Sequence, residues 1–335
     1  MKKKIRFCFL FILFFTGCMF ISCKNSTDKL QTSFYTKVAD KLPVKVLING
    51  DSIGEGLSNA NFASMMESSF GSNTQIDNIS LPGNTSFAGF CQANIQYTPD
   101  TTYDLIILCY GQNDLDSDNF SLEYENLIRT TIEKYPEAQI VSVLESSQKT
   151  HTNKIKKIIG LCEYYHIPYA DTIHSFSHSG YSYEELTADA IHPNALGYKL
   201  YCQTIIDLLQ SGLSKSPFGR AESKEPLNPQ CDLFDNAVYI SKEDMTQTDD
   251  GYIYQTDQSI NGIGMDRTFL PGEHTLKIQI EDQLLDVSYT WNYTFSQRHI
   301  EPLTDTPYHG VTIRITSPNT EDDNFFHGII LLSAS

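Results

Sequence analysis

Between Val44 and Leu209, short β-branched runs alternate with segments of helical period about five times. This alternation constrains the fold more than any other feature of the chain. Strands are expected at Val44–Asn49, Gln75–Ile79, Tyr103–Tyr110, Gln139–Leu144 and Ile167–Asp171. The run YDLIILCY at Tyr103–Tyr110 is almost unbroken in its apolar character, as a strand covered on both faces should be. Helices are expected at Asn59–Phe70, with Phe62, Met65, Met66 and Ser69 at helical spacing, and at Thr85–Tyr97. Three more are expected at Leu122–Tyr135, stopped by Pro136, at Thr152–Tyr165 and at Asn194–Leu209. The pattern is that of a parallel sheet with helices on both faces, which binds ligands at the carboxyl ends of its strands.

The pattern changes after residue 212. Residues 213–229 hold Gly, Ser, Pro, Lys and Glu without apolar period and read as a linker. Residues 230–335 carry short strand signals separated by Gly and Pro turns, with VTIRI at 311–315 and HGIILL at 327–332. Val287, Tyr289, Trp291, Tyr293 and Phe295 alternate with Ser288, Thr290, Asn292 and Thr294, a period of two. The stripe is expected to be the inner face of a small β-sandwich, with a sugar-stacking platform as the rarer use of such a stripe.

Met1–Arg6 is basic, Cys8–Phe15 is nearly all apolar, and polarity begins at Lys24. These are the parts of an export signal, expected at residues 1–22. Phe20-Ile21-Ser22-Cys23 resembles a bacterial lipobox, which implies lipidation of Cys23 and a polar tether over 23–41, with Cys18 as a competing site. The expected location is the outside of a membrane, held there by lipid. The net charge of −17 disfavours nucleic acid and anionic surfaces as partners. Cys91, Cys109, Cys162, Cys202 and Cys231 form no CxxC pair, and His174 and His178 lie in a Ser- and Gly-rich stretch. No metal site and no cofactor is therefore expected.

Four short segments then stand at strand ends or before a helix. Gly50-Asp51-Ser52 follows the first strand, and Asn78 to Thr85 (NISLPGNT) follows the second. Gly111-Gln112-Asn113-Asp114 follows the third, and Asp189-Ala190-Ile191-His192-Pro193 precedes the last helix. A serine hydroxyl is a poor nucleophile at neutral pH and needs an adjacent base, for which histidine is suited. A carboxylate three residues before that histidine can orient its ring. An amide and a close-approaching glycine backbone supply N–H donors to an oxyanion.

In order and rough spacing, these segments resemble the blocks GDS, a downstream Gly, GxND and DxxH of the SGNH (GDSL-like) hydrolase superfamily, over about residues 44–210. Gln112 fills the position that the third block leaves open. The resemblance implies a three-layer α/β/α sandwich over residues 42–212 and metal-free ester hydrolysis or acyl transfer. It implies Ser52 as nucleophile, His192 and Asp189 as its triad partners, and Ser52, Gly83 and Asn113 as oxyanion donors. Glu145, Ser146 and Gln148, past the fourth strand, are candidates for lining a subsite. The leading expectation is an exported serine esterase acting on short acyl, foremost acetyl, esters of a carbohydrate or another small ester. A carbohydrate O-acyltransferase using the same residues and a catalytically silent glycan-binding lipoprotein are the alternatives. The oligomeric state is left open.

Overall fold

A computed structural model describes residues 45–71, 73–211, 221, 223–316 and 325–334. The expected export signal, Cys23 and the tether lie outside the described residues. The first half is built on a five-stranded parallel sheet. Its strands are β1 (Lys45–Gly50), β2 (Gln75–Asn78), β3 (Leu105–Cys109), β4 (Gln139–Leu144) and β5 (Tyr169–Asp171), in the order β2-β1-β3-β4-β5. The short helix α1 (Ser52–Glu55) follows β1, then α2 (Phe62–Phe70), α3 (Ser86–Ile95), α4 (Asp118–Lys134) and α5 (Asn153–Tyr165). After β5 come α6 (Thr172–Ser177), α7 (Tyr183–Leu186) and α8 (Ala195–Ser211).

The two faces of the sheet are two separate cores. Val46, Ile48, Leu105 and Ile107 pack against Phe62 and Met66 of α2 and Tyr198, Tyr201 and Ile205 of α8. Leu47, Ile106 and Leu108 point the other way, toward α3, α4 and α5. Successive residues of one strand thus fill opposite cores, which is why the strands read as continuous apolar runs. The strand order reverses direction on either side of β1, which opens a crevice at the carboxyl ends of β1 and β3.

The second half is antiparallel. One sheet has the order β12-β11-β15-β8-β7 and contains β7 (Thr246–Thr248), β8 (Gly251–Ile260), β11 (Lys277–Ile280), β12 (Gln283–Asp286) and β15 (Tyr308–Thr316). The other has the order β14-β9-β16-β6 and contains β6 (Asn236–Ser241), β9 (Gly262–Phe269), β14 (Gln297–Thr304) and β16 (Phe326–Ser333). A two-stranded ribbon pairs β10 (Gly272–His274) with β13 (Tyr289–Trp291). Ile263, Met265, Phe326, Ile329 and Leu331 fill the core between the sheets. Ala237, Ile300, Ile330 and Leu332 point from the four-stranded sheet into the core beneath α3 and α4. That sheet is therefore covered on both faces, and the two halves of the chain share a core.

Two sequence expectations change here. The strand expected across Val287–Phe295 spans only Tyr289–Trp291, and Tyr293 and Phe295 are 58% and 54% exposed in the loop that follows. Alternation in sequence marks alternating orientation, but the chain leaves its ladder after Trp291, so those two rings never reach a core. Part of the expected linker is also fixed: residues 223–228 lie against α4 and α5. Arg129 donates to the Lys224 carbonyl at 2.9 Å and Tyr164 to that of Glu225 at 2.9 Å. Glu125, fully buried on α4, accepts from the Leu227 and Asn228 N–H groups, the Asn228 amide and the Tyr165 hydroxyl. Polar docking of this kind leaves no apolar period to read.

Glu125→Ala would leave those four donors without their acceptor. It is expected to lower the unfolding free energy by about 2–4 kcal/mol, since each buried unsatisfied polar group costs roughly 1–3 kcal/mol. Urea denaturation checks this, and an unchanged midpoint would show that the strap is held by something else.

Candidate active site

Ser52 is placed by the end of β1. The Asp51 N–H donates to the Cys109 carbonyl of β3 at 3.0 Å, which extends the sheet pairing to the residue before the serine. Asp51 then caps α1, accepting from the Ile53 N–H at 2.8 Å. The serine is thereby lifted onto the first turn of a helix at the crevice, half-buried.

His192 approaches from the loop before α8. Its Nε2 lies 2.9 Å from Ser52 Oγ, and its Nδ1 lies 2.8 Å from Asp189 Oδ2. The tautomer that fits this relay donates from Nδ1 to the carboxylate and accepts the serine proton at Nε2. Asp189 Oδ1 also accepts from the Ile191 and His192 N–H groups, both at 2.7 Å. Partial burial tends to raise the Asp189 carboxyl, but those N–H groups and the imidazole outweigh it and hold it below the usual carboxylate range. The loop is closed by the Ala188 N–H donating to the His192 carbonyl and by Asn194, whose amide donates to the Glu185 and Thr187 carbonyls.

Asn113 stands past β3. Its amide donates to Asp51 Oδ2 at 3.1 Å and to the Asn84 carbonyl at 2.9 Å, so both of its N–H groups are engaged. Asp51 thus links Asn113 to the residue preceding Ser52. Gly83 lies in the loop after β2, which is tied to β1 by the Leu81 N–H donating to the Gly50 carbonyl at 2.9 Å. Gly83 has φ +72, and a Cβ there would meet Gln297 Nε2 at 1.9 Å and His299 Cε1 at 3.2 Å. The positive φ calls for glycine, and a Cβ would also push the end of the Gln297 side chain aside. A close approach by substrate is the expected reason for a glycine at 83, but the nearest pressure comes from β14 of the second half. Gln297 donates to the Pro82 carbonyl, and Asn84 exchanges hydrogen bonds with β14 through the Arg298 carbonyl and the Ile300 N–H. No sequence motif marks Gln297 and His299, because they stand more than 200 residues from the loop they press on.

Beneath Ser52 lies a group of buried acids. Burial pushes the Asp51 carboxyl up; the Ile53 N–H pulls it partly back, and the Asp114 charge adds to the rise. Glu145 is also raised, by burial first and by Asp51 next. Asp114 is raised by burial, although the hydroxyl and N–H of Ser86 offset part of it. Glu145 and Ser146 are 0% and 1% exposed, Ser146 being held by the Tyr201 hydroxyl. They support the site from behind and do not line a subsite. Gln148 is half-buried and donates to Gln112 at 3.0 Å.

Two carboxyls held out of water beside one another retain a proton that the unfolded chain releases near pH 4. Folding therefore takes up protons above about pH 4, and the stability so contributed is complete below that pH and is lost as pH rises toward neutrality. Glu145→Gln removes one acid while keeping the shape. Its unfolding free energy, measured in urea from pH 4 to 8, is expected to fall less steeply than that of the native protein; equal slopes would contradict a retained proton.

Among curated proteins none matches this sequence. Two solved structures, both of a two-domain esterase (CEX) active on acetylated mannans, are similar in fold at 14% identity. The one co-crystallised with mannopentaose has a TM-score of 0.69 and covers 87% of this chain and 91% of its own. The other has a TM-score of 0.70 and covers 89% and 93%. The likeness spans both halves of the chain and shows that the α/β and antiparallel parts occur together elsewhere. Residues 48–200, which contain Ser52, Gly83, Asn113, Asp189 and His192, match the model of the GDSL-like lipase/acylhydrolase family.

Proposed function

We propose that this carboxylic-ester hydrolase is exported, is anchored to a membrane through Cys23, and removes short acyl groups, acetyl foremost, from a carbohydrate. The observation that carries the reaction is the unbroken relay Ser52 Oγ–His192 Nε2 and His192 Nδ1–Asp189 Oδ2, at 2.9 and 2.8 Å. Ser52 Oγ attacks the ester carbonyl carbon as its proton passes to His192 Nε2. Asp189 stabilises the imidazolium and keeps its ring in place. The carbonyl oxygen becomes an oxyanion, for which the Ser52 and Gly83 N–H groups are donors in this reading, joined by the Asn113 amide when it turns one N–H from its present acceptors, Asp51 Oδ2 and the Asn84 carbonyl. The C–O bond to the alcohol breaks, and the leaving alkoxide takes the proton from His192. Water, deprotonated by the same imidazole, then attacks the acyl-serine and releases the acid and free Ser52.

The carbohydrate part of the reading rests on the β-rich half standing against the loop of Gly83, and on the mannan substrate stated for the esterases of similar fold. Export and anchoring rest on the basic, apolar and Cys-containing start of the sequence.

Hydrolysis of p-nitrophenyl acetate, butyrate and octanoate, beside acetate release from acetylated mannan and xylan, tests this function. Activity is expected to fall with chain length and to vanish in Ser52→Ala. Asn113→Ala is expected to lower kcat about 100- to 1,000-fold with little change in KM, as loss of one oxyanion donor does. Octanoate preferred over acetate, or an active Ser52→Ala, would overturn it.

A further inference from the structure

Two large aromatic rings of the second half of the chain stand largely in water. Tyr293 and Phe295 are 58% and 54% exposed, in the turn between β13 and β14. Single exposed apolar side chains are common and need no explanation. These two touch one another, with centroids 5.3 Å apart, and both touch Trp291, at 4.7 and 5.9 Å. Trp291 is stacked on Phe269 at 5.3 Å and 20°, and Phe269 carries the Arg267 guanidinium 4.5 Å from its centroid. The Trp291 Nε1–H donates to the Phe295 carbonyl at 2.6 Å and fixes the turn. The rings are therefore held in place from below while their outer faces remain open.

The same row leads to the catalytic loop. His299 lies 4.4 Å from Phe269 and 6.3 Å from Trp291, centroid to centroid, and its Cε1 would be 3.2 Å from a Cβ on Gly83. Asn292, Thr294 and Ser296, all exposed, alternate with the rings and offer hydrogen-bonding groups at their edges. A pyranose ring has an apolar C–H face and a rim of hydroxyls. A fixed aromatic surface with polar groups at its margin matches both, because a rigid aromatic offers contact area at little entropic cost.

We infer that Trp291, Tyr293 and Phe295 form a glycan-binding ledge on which sugar units of the substrate stack while one acyl ester reaches Ser52. The inference rests on the carbohydrate reading above and extends it, since it assigns the second half of the chain a direct part in holding substrate.

The chain contains a single tryptophan, so intrinsic tryptophan fluorescence reports on Trp291 alone. The Ser52→Ala protein is titrated with unacetylated mannopentaose, xylopentaose and cellopentaose, with and without Tyr293→Ala and Phe295→Ala together. Both substituted positions are exposed, and a thermal melt checks that the fold is kept. A saturable fluorescence change is expected with at least one pentasaccharide, at an affinity about tenfold lower without the two rings. In the protein with Ser52, the same pair is expected to lower the ratio of kcat/KM for the acetylated glycan to that for p-nitrophenyl acetate about tenfold, through KM. No saturable change with any pentasaccharide, or equal affinity without the rings, overturns the ledge. Acetate release that ignores the rings removes the ledge and leaves the esterase reading. Ring-dependent binding without acetate release from any acetylated glycan does the reverse.

Discussion

The site depends on one buried carboxyl, that of Asp51. Its backbone N–H completes the pairing of β1 with β3, one of its oxygens caps the helix that begins at Ser52, and the other accepts from the Asn113 amide. A strand end, a helix start and the loop after β3 are thus fixed by one residue. Burial makes the arrangement costly for a free charge on Asp51, the Asp114 charge adds to that cost, and the hydrogen bond with Glu145 offsets part of it. A short acid capping a helix is ordinary. Here the same acid is shut in a crevice among other acids, and burial pushes its carboxyl up.

A second constraint joins the halves of the chain. The four-stranded sheet has no solvent face: Ile329 and Leu331 of β16 enter the core between the β-sheets, while Ile330 and Leu332 enter the core of the parallel sheet. The seam continues up to the active site, where Asn84 is saturated by Pro82 and by the backbone of β14, and Gln297 reaches the Pro82 carbonyl. The loop that carries Gly83 is therefore shaped from both sides. Apolar burial holds the halves together, and a few hydrogen bonds set their register at the crevice.

Much of this was legible in the chain. Local periodicity located every strand of the parallel sheet within a few residues, because each strand is short, apolar and bounded by turns. The GDS, GQND and DAIH segments pointed to Ser52, Asn113, Asp189 and His192, which the structure brings to one crevice. Other features were not legible. Glu125 carries no motif, and three of its four hydrogen bonds come from residues that read only as linker. The stripe from Val287 to Phe295 has the right alternation for an inner strand face, yet its last two rings are outside. Alternation specifies opposite sides of a strand and says nothing of which side is covered, or of where the ladder stops.

The sequence by itself determined which residue types stand at strand ends, and with them the serine, histidine and acid from which an ester hydrolase can be assembled. Those are local properties, set by backbone geometry and side-chain chemistry over a few positions. Only the tertiary structure decided that Ser52 and His192, 140 residues apart, lie within a hydrogen bond of each other. It alone set Glu145 behind the nucleophile and pressed β14 of the second half against Gly83. These follow from how two cores close against a shared sheet, and no spacing along the chain encodes a distance that depends on the packing of the rest.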